Sequence, residues 1–315
     1  MKSVRLLSIL FFSLFLLTLQ VQAQQLSPPP GQKVDIGGYA LHLNVMGTGS
    51  KTIIIEAGAG AFSLQWLEFQ KTLSKHFTVI TYDRAGYGWS DPSPYSRTAK
   101  VIAEELHTAL TKLEKKGPYI LMGHSYGGLV IKTFLNNYPK DVEALILADA
   151  ATEFQFQKLP PMVSMIVEAG INRFKESGTM ARKGMLQPEM IPIDSTLTAK
   201  YWKDYQKISS TPAFYDAMVN EMTLMDFSYS QSKVKSPTNV PLLVITAGNS
   251  FEAFRSIPGM PVEESNVIWE RLQKEQLKLS SKSEQTIIPE ATHDMVLSTP
   301  KELLNAVVSF VNTLN

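Results

Sequence analysis

The chain has 315 residues, 44% of them hydrophobic, which suffices for one large α/β domain or two small ones with a sizeable core. Lys+Arg number 30 against Asp+Glu 29, a net charge of +1, so neither nucleic acid nor an anionic membrane surface is expected as a partner. Cysteine is absent, which excludes disulfides and thiolate-bound zinc or iron–sulfur centres.

Residues 1–23 read as a secretory signal peptide. Lys2 and Arg5 precede an apolar run from Leu6 to Leu19, and Val21-Gln22-Ala23 ends on a small residue. The run is short for a membrane-spanning helix, which needs ~20 apolar residues. An uncleaved N-terminal anchor is the alternative. The expectation is an exported protein, periplasmic or secreted, without stable membrane insertion after cleavage. Residues 24–33, polar and proline-rich (QQLSPPPG at the start), read as a linker.

From Val34 strand and helix patterns alternate. Tyr39 to Val45 alternates apolar and polar like a half-buried strand. Thr52–Glu56 (TIIIE), Thr78–Tyr82 (TVITY), Tyr119–Met122 (YILM), Ala144–Ala148 (ALILA), Pro241–Thr246 (PLLVIT) and Thr286–Ile288 are short apolar runs suited to a parallel sheet buried on both faces. Helical spacing predicts helices over Leu64–His76, Ala99–Lys116, Leu129–Asn137, Glu263–Leu279 and Lys301–Val311, with Gly117-Pro118 as the stop for the second. The fold class is therefore α/β: a mostly parallel sheet flanked by helices. Residues 34–150 and 238–315 form its core.

Residues 151–237 break the rhythm. They hold no convincing buried strand and eight of the 13 methionines, at 162, 165, 180, 185, 190, 218, 222 and 225. This segment reads as a helical cap inserted between two strands. Most of its methionines and aromatics should form its own core, and some should face the site.

Gly123-His124-Ser125-Tyr126-Gly127-Gly128 follows the YILM strand and opens a helix. A G-x-S-x-G sequence in strand–turn–helix context places a serine hydroxyl at the apex of a sharp turn. Ser125 is thus the candidate nucleophile. The helix start supplies free N–H groups, and Tyr126 N–H is a candidate oxyanion donor. Glu56-Ala57-Gly58-Ala59-Gly60 can bring a second backbone donor close to substrate; Ala59 is the choice, with Gly60 as the near alternative.

With this nucleophile turn, the partners follow in the chain order Ser, acid, His. Of five histidines, only His293 lies in a loop between the last strand and the last helix, so it is the candidate base. His42 and His107 have packing or surface roles, His76 ends a helix, and His124 is expected to point away from the site. The loop after PLLVIT, Ala247 to Phe251, carries no carboxylate, and Glu252 is the nearest. Asp149 ends the ALILA strand on the edge where strand ends converge. It is preferred over Glu252 as the acid that fixes the tautomer of His293. Asp294 is too local to orient the ring.

These residues resemble the α/β-hydrolase superfamily, closest to its serine esterase and peptidase-like members. Besides GHSYGG, Asp83-Arg84-Ala85-Gly86-Tyr87-Gly88-Trp89-Ser90 is similar to the family's D-x-x-G-x-G-x-S turn, and Ala291-Thr292-His293 precedes the final helix. The resemblance covers about Val34 to the C-terminus. It implies Ser125 as nucleophile, His293 as base, and Tyr126 and Ala59 as oxyanion donors. In relatives such as haloalkane dehalogenases the acid lies at the end of the strand after the nucleophile, where Asp149 stands. A serine nucleophile argues against dehalogenase and epoxide-hydrolase chemistry, which uses a carboxylate. The DRAGYGWS turn should be structural, with Asp83 and Arg84 satisfying buried backbone groups.

The resulting expectation is a serine hydrolase that cleaves carboxylic esters through an acyl-enzyme, with no metal or organic cofactor. Its partner is a small-molecule substrate with an apolar portion, not nucleic acid. A proline-iminopeptidase-like exopeptidase and a non-catalytic binding protein of the same fold are the alternatives.

Overall fold

The computed structural model describes residues 26, 28–193, 197–234 and 237–314. The segment read as a signal peptide lies outside the described residues. Eight strands follow one another in the chain: β1 (Gln32–Asp35), β2 (Ala40–Met46), β3 (Thr52–Glu56), β4 (Thr78–Asp83), β5 (Tyr119–His124), β6 (Val142–Ala148), β7 (Leu242–Asn249) and β8 (Ser283–Thr292). They form one sheet in the order β1-β2-β4-β3-β5-β6-β7-β8, antiparallel at β1–β2 and β2–β4 and parallel elsewhere.

The helices are α1 (Ser63–Leu73), α2 (Ala99–Lys112), α3 (Gly127–Asn137), α4 (Gln155–Lys158), α5 (Pro161–Arg182), α6 (Ala199–Ser209), α7 (Pro212–Thr223), α8 (Met225–Ser232), α9 (Val262–Glu275), α10 (Met295–Ser298) and α11 (Pro300–Thr313). Successive residues of the central strands point to opposite faces, as the strand period of two requires. Ile54, Leu121, Leu145 and Leu147 pack with Ile102 and Leu106 of α2 and Leu129 and Phe134 of α3. Ile53, Ile55, Ile120, Met122 and Ile146 pack with Trp66 and Phe69 of α1 and Leu303 and Val307 of α11. The continuous apolar runs in the sequence are the consequence of this burial on both faces.

Several boundaries differ from those read in the sequence. Gln32 and Lys33, taken as linker, pair with Leu43 and His42 in a hairpin. Gly37 and Gly38 turn that hairpin at positive φ, and the Asp35 carboxylate accepts both of their N–H groups. The strand QKVD has no apolar alternation of its own; its partner strand recruits it. Helix α2 stops at Lys112 rather than Lys116, because Glu114 is left-handed (φ +56) and Lys115 N–H turns back to the Leu110 carbonyl. Helix α1 likewise ends at Leu73, so His76 lies beyond it. Strand β8 is longer than its apolar run, since much of this edge strand is exposed.

Among the described residues between β6 and β7 lie five α-helices, α4 to α8. Tyr201, Ile208, Phe214, Tyr215 and Met218 from this segment pack with Phe62, Tyr87 and Trp89 of the sheet domain. The methionines depart from expectation. Met218 and Met225 are buried, whereas Met165, Met185 and Met190 are exposed. Met165 is exposed because it lies on α5, a 22-residue surface helix that buries only Val163 and Gly178, while Met185 and Met190 follow that helix in the sequence.

Ile146 lies at the centre of β6 with no exposed surface. Ile146→Ala should therefore lower the unfolding free energy by about 2–5 kcal/mol in a urea titration, through lost transfer energy and a residual cavity.

Candidate active site

The parallel strands end on one edge, and their last residues deliver the site. β5 ends at His124, and Ser125 follows at φ +51. This left-handed conformation is costly for a residue with a Cβ, and strain of this kind gathers at functional turns. The turn is possible because its flanks are glycines. A Cβ on Gly123 would lie 2.7 Å from the Gly127 backbone, and one on Gly127 would lie 2.3 Å from the Glu56 carbonyl oxygen.

Ser125 Oγ lies 2.9 Å from His293 Nε2. His293 Nδ1 lies 2.7 Å from Asp149 Oδ2. Asp149 directly follows β6, is itself left-handed (φ +46) and is fully buried. Its carboxylate accepts from the Ala247 N–H (3.0 Å), the Trp269 indole N–H (2.8 Å) and the Ser250 hydroxyl (2.7 Å), besides His293. A buried carboxylate is tolerable only when so satisfied. The structure thus brings Ser125, His293 and Asp149 together. Glu252, the alternative acid, stands apart as a partly exposed residue ion-paired with Arg255. Ser250 occupies the loop where a carboxylate was sought, and it donates to Asp149 instead.

Burial alone would lower the pKa of His293, but the hydrogen bond and charge of Asp149, with Asp294 beyond, raise it above its ordinary value. His124 was expected to point away; instead its ring stands 4.9 Å from that of His293. Its Nε2–H donates to the His293 carbonyl at 2.7 Å. Burial and the neighbouring His293 push the pKa of His124 down to about 4, so it stays neutral and holds the main chain of its neighbour.

On the other side of Ser125 lies the 57–60 loop. The N–H groups of Ala59 and Tyr126 have no acceptor among the described residues, while Gly60 N–H is taken by the Tyr87 hydroxyl at 3.3 Å. Both Ala59 and Tyr126 line the cavity that holds Ser125 and His293. Of the DRAGYGWS turn, Asp83 accepts from the N–H groups of Ser63 and Trp89, and Arg84 donates to the carbonyls of Ala57 and Gly58. Arg84 is also ion-paired with Glu56 and Glu221, all three buried. Burial pushes the Glu56 carboxyl up to about 7, since one guanidinium cannot neutralise two carboxylates.

The cavity measures about 460 Å³. Its walls are apolar, with Trp66, Phe156, Leu159, Val163, Phe174, Met218, Met222, Met225, Phe251 and Trp269 among them. Among the described residues, Asp294 is the one formally charged side chain on its lining, and it is exposed. No group of three or more His, Cys, Asp or Glu suited to a metal ion occurs among the described residues.

Sequence reasoning missed His124, Ser250, Trp269 and Glu221. Only Glu221 had a usable signal: Arg84, placed in a buried turn, needs a carboxylate partner. The others lie on elements whose approach to Asp149 or His293 is a matter of tertiary packing.

Residues 51–249 match the family model for the alpha/beta hydrolase fold. YbdG of Bacillus subtilis, an uncharacterised protein, is 27% identical over 233 residues, covering 69% of this chain and 68% of that protein. A probable transporter of Hormonema carpetanum, efuK, is 35% identical over 135 residues, 40% of this chain but only 19% of that protein's length. A thermophilic esterase from Thermogutta terrifontis has a similar structure, with a TM-score of 0.62, 20% identity and coverage of 90% of this chain and 98% of that one.

The Asp149 carboxylate sets the titration of His293. NMR of the ring protons should give a midpoint above the ordinary 6.5, and Asp149→Asn should bring it down, because the anion that favours the imidazolium is gone.

Proposed function

The chain belongs to the α/β-hydrolase family, and on that premise we propose that it is a serine hydrolase acting on carboxylic esters with an apolar portion. The observation that carries this reading is the Ser125 Oγ–His293 Nε2–Asp149 chain of contacts at 2.9 and 2.7 Å. His293 takes the proton as Ser125 Oγ attacks the ester carbonyl. The tetrahedral oxyanion then meets the N–H groups of Ala59 and Tyr126. Collapse expels the alcohol, which receives the proton from His293. Water, activated by the same imidazole, attacks the acyl-enzyme and restores Ser125. Each oxyanion donor contributes about 10²–10³ in rate. Asp149 holds Nδ1 protonated and compensates the imidazolium that forms.

The apolar cavity, with the exposed Asp294 as its charged lining side chain, supports a neutral ester with an apolar acyl or alcohol part, and its volume falls within the ~300–1,000 Å³ of small-molecule sites. A proline-iminopeptidase-like reaction would need an acidic anchor for a free amine. Glu221 is already engaged by Arg84 and Tyr87, and Asp294 is exposed, so the ester reading is favoured. The helices α4 to α8 act in this account as a cap over the substrate. Residues 1–23 motivate export, to a periplasm or beyond the cell.

A fluorophosphonate probe should label the wild-type chain stoichiometrically and Ser125→Ala not at all. A folded wild-type chain that takes up no probe contradicts the reading. Asp149→Asn should lower kcat by about 10⁴-fold, and Glu252→Gln should leave it near the wild-type value. The reverse pattern would transfer the acid role to Glu252.

A further inference from the structure

We propose that Arg84 is a positioning residue for the oxyanion loop, anchored by Glu221 of the inserted helices, so that Ala59 N–H is aimed at the reacting carbonyl only while those helices are docked. The inference rests on the serine-hydrolase reading and assigns a task to residues outside the Ser125–His293–Asp149 set.

The peptide unit between Gly58 and Ala59 is the pivot. A trans peptide is planar, so its C=O and N–H point in opposite directions. Arg84 Nη2 donates to the Gly58 carbonyl at 2.8 Å. Fixing that oxygen on the Arg84 side turns the Ala59 N–H the other way, and Ala59 is on the cavity lining with Ser125. Arg84 Nη1 holds the preceding carbonyl, of Ala57, at 2.7 Å. The residue after Ala59 is held too, through Gly60 N–H to the Tyr87 hydroxyl. The loop is therefore tied at 57, 58 and 60, and the Ala59 N–H lies between the last two of these ties.

Besides Glu56 of β3, which pairs with Nη1 at 2.9 Å, Arg84 is anchored from the inserted segment. Its fork is filled on the far side by Glu221, with Nε to Oε1 at 2.7 Å and Nη2 to Oε2 at 3.0 Å. Tyr87 donates to the same Oε2 at 2.9 Å. Glu221 lies on α7, within the segment between β6 and β7. The same helix approaches the loop closely: a Cβ on Gly60 would stand 2.8 Å from Met218 Sδ. A bidentate guanidinium is suited to this role because its five donors lie in one rigid plane, whereas a lysine ammonium offers a single point of attachment.

The test uses Arg84→Lys, Glu221→Gln and Tyr87→Phe in the full chain, with a p-nitrophenyl ester and a trifluoromethyl ketone inhibitor whose hemiketal oxygen mimics the oxyanion. Arg84→Lys and Glu221→Gln should lower kcat by up to about 10²-fold, the loss of one oxyanion donor, with KM little changed. Inhibition by the ketone should weaken by the same factor as kcat/KM, a parallel that a merely structural role would not produce. Tyr87→Phe removes one hydroxyl and keeps the test open if the charge variants do not fold; it should lower kcat several-fold with the same parallel. Wild-type kcat in folded variants, or a lowered kcat with ketone affinity intact, overturns the inference. A wild-type chain that neither labels with fluorophosphonate nor turns over ester overturns the hydrolase reading and this inference with it. Wild-type labelling beside unchanged variants overturns this inference alone.

Discussion

The buried carboxylate of Asp149 is the interaction on which the arrangement of the site depends. A carboxylate without exposure costs several kcal/mol unless its lone pairs are filled. Here the donors come from four places: the Ala247 N–H on β7, the Ser250 hydroxyl just after it, the Trp269 indole on α9, and His293 beyond β8. Satisfying one anion therefore fixes the ends of three neighbouring strands against each other. His293 gains its orientation from that requirement, and His124 reinforces it from behind through the His293 carbonyl. Ser125 enters from β5, hydrogen-bonded through its own N–H to the Ala148 carbonyl one residue before Asp149. Serine and acid are thus placed by adjacent strands, and both occupy left-handed conformations that the sheet imposes.

A second buried polar centre stands on the opposite side of Ser125. Arg84, Glu56, Glu221, Tyr82 and Tyr87 share one hydrogen-bonded cluster with the backbone of the 57–60 loop. Where Asp149 is bonded to His293, this cluster is bonded to the backbone of the 57–60 loop. The two centres differ in what they join. The first ties strand ends within the sheet domain. The second ties the sheet domain to the inserted helices, which also furnish much of the apolar wall of the cavity. Substrate enclosure and loop geometry are for this reason set by the same segment.

Much of this was legible in the sequence, for identifiable reasons. Runs such as TIIIE and ALILA announce strands buried on both faces, because a parallel sheet covered by helices leaves no polar side. GHSYGG after a strand locates Ser125, because no other pattern gives the turn its required small flanks. Asp149 and His293 could be placed by strand order, since the strand ends converge on one edge. What was not legible depends on packing between distant segments. Gln32 and Lys33 look like linker until β2 pairs with them. The end of α2 depends on one left-handed residue, Glu114. The methionines of the inserted segment gave no sign that α5 would lie on the surface. Ser250, Trp269 and His124 are ordinary residue types whose significance lies in the atoms they reach.

The central claim is that Ser125 carries the acyl group during turnover. The most direct measurement is rapid acid quench of the full chain during hydrolysis of a p-nitrophenyl ester, followed by mass spectrometry of the peptide containing Ser125. The account predicts, for an ester whose deacylation limits turnover, an initial burst of p-nitrophenol approaching one equivalent and an acyl adduct on Ser125 that chases to free enzyme. Hydrolysis with no adduct on Ser125, undiminished in Ser125→Ala, would contradict it.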